Sequence, residues 1–186
     1  MSKMVFSAPI VGKSVMLRPV ELTDCNGTYL SWMTDRETNR YMETRWTAQS
    51  IETIRRFVTQ MRESPHSWLF AIIHGGRHVG NIKVGPVDMR YGCADISYFV
   101  GDRNAVGHGV ASEAVSLVVR FAFEELKLHR LQAGVFACNG GSCRVLEKNG
   151  FVREGVFRER CYLTSESDRV DCYEYAILRK DWLNER

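Results

Sequence analysis

Two short stretches carry residue types at spacings that can do chemistry. The first is Arg103-Asn104-Ala105-Val106-Gly107-His108-Gly109-Val110-Ala111. Its glycines let the chain turn tightly and expose backbone N–H groups with no side chain in the way. Apolar residues then recur at Val110, Ala114, Val115, Val118, Phe121, Ala122 and Leu126. Those gaps of three and four predict an amphipathic helix. A helix start adds unsatisfied N–H groups and the positive end of its dipole, so the turn suits an anionic diphosphate. It lacks the three glycines of the dinucleotide fingerprint and the Lys-Ser/Thr pair of a Walker loop. The second stretch runs from Leu128 to Gly155. In it a predicted strand ends at Asn139, Ser142 falls on the first turn of a short helix, and Gly150-Phe151 opens the next strand.

The elements that position these stretches follow from periodicity and turn residues. Ser14 to Val20 reads as a strand, and Thr23 or Asp24 caps a helix carrying Tyr29, Leu30, Trp32 and Met33. Asp35 to Arg40 is polar and reads as a loop. Thr47 caps a second helix with Ile51, Ile54, Phe57, Val58 and Met61 at helical spacing, ended by Ser64-Pro65. Strands at Ser67–Ile73 and His78–Val84 flank the hairpin turn His74-Gly75-Gly76-Arg77, and Gly85-Pro86 breaks the second. A strand from Cys93 to Val100 leads into the glycine turn and the long helix. Leu131–Ala137, Val156–Leu163 and Val170–Leu178 read as strands and Gly140–Asn149 as a helix. The order is that of a mixed α/β chain with mostly antiparallel strands and at least one helical crossover. No repeat or linker interrupts it, so residues 1–186 read as one domain.

Composition narrows the function. At 186 residues with a net charge of +3, the chain can bury a real core and shows no clustered basic run of a nucleic-acid binder. The charge fits a small anionic ligand. The six cysteines contain no C-x-x-C pair, and no His pair completes a zinc pattern, so no metal is expected. Met1 to Ile10 shows no long apolar signal core, and no apolar run reaches the ~18 residues of a membrane span. The reading is a cytoplasmic protein with reduced thiols and no membrane partner.

Together the two stretches resemble the GCN5-related N-acetyltransferase (GNAT) superfamily, in its branch of Rim-type ribosomal-protein N-terminal acetyltransferases. Asn104-x-x-Gly107-x-Gly109 is similar to the family's Gln/Arg-x-x-Gly-x-Gly/Ala pyrophosphate loop, with Asn104 as a departure and Arg103 as a charge one place earlier. The resemblance runs from about Val15 to Ile177. It implies an α/β (α+β) GNAT fold: a mixed, mostly antiparallel sheet of six to seven strands with a V-shaped splay, flanked by about four helices. It also implies acetyl-CoA as donor, coenzyme A as product, and direct transfer to an amine in a ternary complex, by a monomer or homodimer.

The resemblance assigns the residues. The amides of Val106, Gly107, His108, Gly109 and Val110 hold the pyrophosphate; Arg103, as a replacement charge, Asn104 and Ala111 are further cofactor-binding candidates beside them. The pantetheine arm pairs with Phe99 and Val100 like an added strand. Asn139 holds the pantetheine or orients Ser142, which protonates the leaving thiolate. An attacking amine must itself lose a proton, its pKa being ~8 for an α-amine and ~10.4 for a lysine. Glu159 is the candidate base, although the family's register puts Cys161 at that position; Asp95 and Glu43 are weaker candidates. Glu43, Arg45 and Trp46 are candidate acceptor contacts. The acceptor is a protein N-terminus by analogy with the Rim branch. The alternatives are a small amine (an amino sugar or nucleotide amino sugar, a polyamine or an aminoglycoside) and a non-catalytic acyl-CoA binding module.

Overall fold

Residues that alternate along the central strands send apolar side chains to both faces of one sheet, and helices cover both. In the computed structural model, which describes residues 8–184, the strands are β1 (Ile10–Val11), β2 (Val15–Pro19), β3 (Trp68–His74), β4 (Arg77–Asp88), β5 (Cys93–Val100), β6 (Arg130–Phe136), β7 (Val152–Tyr162) and β8 (Arg169–Leu178). The helices are α1 (Gly27–Thr34), α2 (Arg36–Asn39), α3 (Ile51–Glu63), α4 (Val110–Glu124), α5 (Gly140–Lys148) and α6 (Arg179–Asn184). Part of the leader reading, residues 1–7, lies outside the described residues. No helix among the described residues is long and apolar enough to cross a membrane.

The strands join in the order β1-β2-β3-β4-β5-β6-β8-β7. Trp68, Phe70 and Ile72 of β3 face α4, where Phe70 and Phe121 meet edge to face with centroids 5.3 Å apart. Ala71 and Ile73 point the other way, toward Tyr29, Trp32, Ile54 and Val58 of α1 and α3. Truncating a ring such as Phe121, 2% exposed, costs about 3–5 kcal/mol in a core of this kind.

The sheet opens at the only parallel pair among the described residues. β5 and β6 pair at Cys93↔Arg130, Ala94↔Leu131 and Asp95↔Gln132. Beyond Asp95, β5 stays with β4 as far as Gly80↔Val100, while β6 stays with β8 as far as Phe136↔Cys172. Gly80 is one cause. A Cβ there would collide with the Phe99 carbonyl oxygen, so only glycine lets the end of β5 lean onto β4 and away from β6. The predicted V-shaped splay is therefore present.

The described residues form eight strands and six helices rather than six to seven and about four. β1 exists because the Glu113 carboxylate, reaching over from α4, accepts hydrogen bonds from the backbone N–H groups of Lys13 and Ser14 and from the Ser14 hydroxyl, the last at 2.6 Å. The expected loop at Asp35–Arg40 is helical because the Asp35 side chain caps it, accepting from the Thr38 N–H at 3.1 Å. Asn26 rather than Thr23 or Asp24 caps α1, and Ser50 rather than Thr47 caps α3. Asp24 is instead buried against Arg18, with both oxygens at 2.7 Å from its guanidinium. Gly85-Pro86 bulges β4 without ending it, the register shifting between Val84 and Val87.

Candidate active site

The splay leaves a cleft of about 1840 Å³, lined from both arms of the sheet, from the glycine turn and from the segment between α1 and α3. Its donor side is built largely of backbone. Gly107 and Gly109 hold φ of 85° and 80°, the left-handed region that glycine occupies without cost. Gly109 sits at the N-cap of α4, and no side chain caps that helix. The first-turn amides are thus left for a ligand, at the positive end of the 15-residue helix α4. Val106, Gly107, Gly109, Val110 and Ala111 line the cleft there, and Phe99 and Val100 line it along the free edge of β5.

Asn139 caps α5, its side-chain oxygen accepting from the Ser142 N–H at 3.2 Å. This bond fixes the first turn and turns Ser142 toward the cleft that both residues line. The Ser142 Oγ lies 2.8 Å from the Tyr98 phenol oxygen, across the V. Burial pushes the Tyr98 phenol up to about 12. Arg144 and Lys148, also on α5, line the same cleft and add positive charge to its donor side.

Several candidates lie elsewhere. Arg103 borders the cleft, but its guanidinium donates to both oxygens of Asp35, at 2.8 and 2.9 Å. The Thr38 hydroxyl and then Arg103 hold the Asp35 carboxyl down at about 2. Asn104 and His108 are exposed and are not among the lining residues, because the turn presents its backbone inward. Glu159 sits in a bulge of β7 at φ 50°, exposed and outside the cleft lining, with its N–H donating to Asp171 at 2.8 Å. The bulge between Phe157 and Cys161 breaks the alternation that would have aimed it inward.

On the acceptor side Glu43 lines the cleft, while Arg45 and Trp46 do not. Arg45 instead braces the wall: it donates to the Met42 carbonyl at 2.7 Å and to the Tyr162 carbonyl at 2.8 Å, and lies over Phe136. Trp46 packs on Tyr162 with centroids 5.1 Å apart. Tyr41 donates to the Cys138 carbonyl at 3.4 Å. These contacts strap the segment between α2 and α3 to the ends of β6 and β7.

Asp95 and Glu174, on the same side, also line the cleft. Gly134 and Gly155 are the register partners of Glu174 on the two neighbouring strands. A Cβ at Gly134 would stand 3.5 Å from a Glu174 carboxylate oxygen, so the glycines leave room beside it. Burial, and then the Asp95 charge, raise the Glu174 carboxyl above its ordinary range. Reasoning from sequence missed Tyr98 and Glu174. Their signal was period-two alternation, Ala94-Ile96-Tyr98-Val100 on one face of β5 and Cys172-Glu174-Ala176 on one face of β8. No group of three His, Cys, Asp or Glu side chains that could hold a metal occurs among the described residues.

Residues 14–152 match the acetyltransferase (GNAT) domain model, so the chain belongs to the GNAT family and is an acetyltransferase enzyme. Among particular proteins, it is 35% identical to the probable N-acetyltransferase YjcK of Bacillus subtilis, over 91% of this chain and 97% of that one. It is 24% identical to the ribosomal-protein-serine acetyltransferase of Escherichia coli, over 69% of this chain and 73% of that one. Its fold is that of the Vibrio cholerae spermidine N-acetyltransferase solved in complex with CoA and spermine, with a TM-score of 0.81 over 92% of this chain and 99% of that one at 18% identity.

Proposed function

We propose that this enzyme transfers the acetyl group of acetyl-CoA to a primary amine at a protein N-terminus. The observation that carries the reading is the uncapped glycine turn opening into the split between β5 and β6, with Ser142 beside it. The N–H groups from Val106 to Val110 take the donor's pyrophosphate, and Arg144 and Lys148 add charge for its phosphates. Ser112 lines the same first turn, and Phe99 and Val100 offer a strand edge to the pantetheine arm. The thioester then lies in the V.

The amine nitrogen attacks the thioester carbonyl carbon, and the C–S bond breaks as the tetrahedral intermediate collapses. The nitrogen gives up a proton to the Glu174 carboxylate, in place of the Glu159 that its strand turns outward. A raised pKa makes Glu174 a better proton acceptor than an ordinary carboxylate. The departing thiolate, whose conjugate thiol has a pKa of ~8.5, takes a proton from Ser142. The strap from Tyr41 to Trp46 closes one side of the acceptor cleft, which suits an amine carried at a chain end. Similarity to the Escherichia coli enzyme named for a ribosomal-protein serine supports the same acceptor class.

A second reading, a small polycationic amine, is favoured by the carboxylates of Glu37, Glu43, Asp95 and Glu174 lining the acceptor half. The test is thiol release from acetyl-CoA across N-terminal peptides, polyamines, amino sugars and aminoglycosides. Turnover confined to peptides supports the first reading. Turnover confined to polyamines replaces it with the second. Acetyl-CoA binding without turnover on any amine would leave only an acyl-CoA binding module.

A further inference from the structure

Among the described residues the Tyr98 phenol is the one side-chain group in hydrogen-bonding contact with the Ser142 hydroxyl, and acetyl transfer through Glu174 and Ser142 leaves it without a role. It reaches from β5 across the V to α5, with its oxygen 2.8 Å from the Ser142 Oγ and 3.3 Å from the Ser142 carbonyl oxygen. On β5 the neighbours on its face, Ala94 and Ile96, are buried apolar residues of the core. The ring continues that apolar face, and only its hydroxyl meets a polar partner in the cleft. We propose that Tyr98 is a positioning residue for acetyl transfer, donating its phenol hydrogen bond to the Ser142 Oγ so that the seryl proton is aimed at the departing thiolate.

The proposal rests on the reading of Ser142 as proton donor. A hydroxyl has one hydrogen to give and two lone pairs to receive with. When Tyr98 fills one lone pair of the Oγ, the seryl hydrogen is free for the sulfur. As the C–S bond breaks, that hydrogen passes from the Oγ to the sulfur, and negative charge builds on the Oγ. A hydrogen bond to a charged oxygen is stronger than one to a neutral oxygen, so the Tyr98 contact strengthens as the proton leaves. Burial keeps the phenol protonated at neutral pH, with its pKa pushed up to about 12, so its hydrogen stays available to the Ser142 Oγ 2.8 Å away. The seryl oxygen is finally reprotonated from solvent, and the proton that Glu174 took from the amine nitrogen returns to solvent, so the transfer balances.

The test is a double-mutant cycle read as single-turnover acetyl transfer, with Tyr98→Phe, Ser142→Ala and the pair together. Tyr98→Phe keeps the ring and its packing. We expect it to slow transfer about tenfold, with the acetyl-CoA dissociation constant and the melting temperature unchanged. In the Ser142→Ala background it should add less than about twofold, because the group it serves is gone. The deficit should also shrink as pH rises past ~8.5, where the thiolate leaves without needing a proton. Replacing Tyr98 by 3-fluorotyrosine, which keeps the hydroxyl, should restore the parent rate. A full-rate Tyr98→Phe beside a slow Ser142→Ala would overturn the Tyr98 role alone. So would equal losses in both backgrounds, or a deficit that does not change with pH. A full-rate Ser142→Ala would overturn the Ser142 reading and this inference with it.

Discussion

The two sides of the cleft are built in different ways. The donor side is backbone: two left-handed glycines, an uncapped helix start and the free edge of β5. The acceptor side is side chains that cross-link distant segments, Arg45 to the Tyr162 carbonyl and Tyr41 to the Cys138 carbonyl. Backbone groups present the same N–H and C=O whatever the neighbouring residues are, so the donor side asks little of sequence beyond glycine and helix periodicity. The acceptor side depends on which long side chain reaches which carbonyl. A donor common to many enzymes suits the first construction, and an acceptor that differs between them suits the second.

The contrast can be pressed by substitution. Ser142→Ala should lower kcat about 100-fold, within the range of general acid catalysis, and leave the KM for acetyl-CoA unchanged. Gly109→Val acts on the donor side alone. Its Cβ meets open space, but φ stays at 80°, and a β-branched residue held there costs about 1–3 kcal/mol. The KM for acetyl-CoA should rise about tenfold or more while the KM for the amine stays put.

Glu174→Gln should lower kcat about tenfold at pH 7, below the usual ceiling for a general base because the free amine fraction still reacts. The sign of its pH dependence is fixed. With its carboxyl raised by burial and by Asp95, Glu174 takes up a proton at higher pH than an ordinary carboxylate. The parent's acid limb in kcat should therefore lie above the ordinary Glu value of ~4.3 and disappear in the Gln variant. The smallest effect belongs to Arg45→Ala. It removes the brace on the strap, so the amine KM should rise about threefold, near the energy of one hydrogen bond, with the acetyl-CoA KM unmoved.

The legibility of the sequence follows the same division. The limits of β5 and α4 could be read almost to the residue, because turn chemistry and periodicity are local. The start of α4 at the glycine turn, and of α5 at Asn139 with Ser142 on its first turn, could be read for the same reason. What escaped depends on long-range contact. β1 exists through Glu113, about a hundred residues away. Asp24 left its expected cap for Arg18. Glu159 missed the cleft because a bulge in β7 shifts the alternation by a step that no residue type in Phe157–Cys161 announces. Arg45 and Trp46 carry the composition of a binding loop, and only the fold shows that they brace one.

Backbone amide hydrogen exchange, followed as acetyl-CoA is added, tests the central claim most directly. The N–H groups from Gly107 to Ser112 should slow markedly with acetyl-CoA present, while those from Asp35 to Trp46 change little until an acceptor is supplied. Unchanged exchange at the glycine turn under saturating acetyl-CoA, or protection appearing first in the strap, would contradict the account.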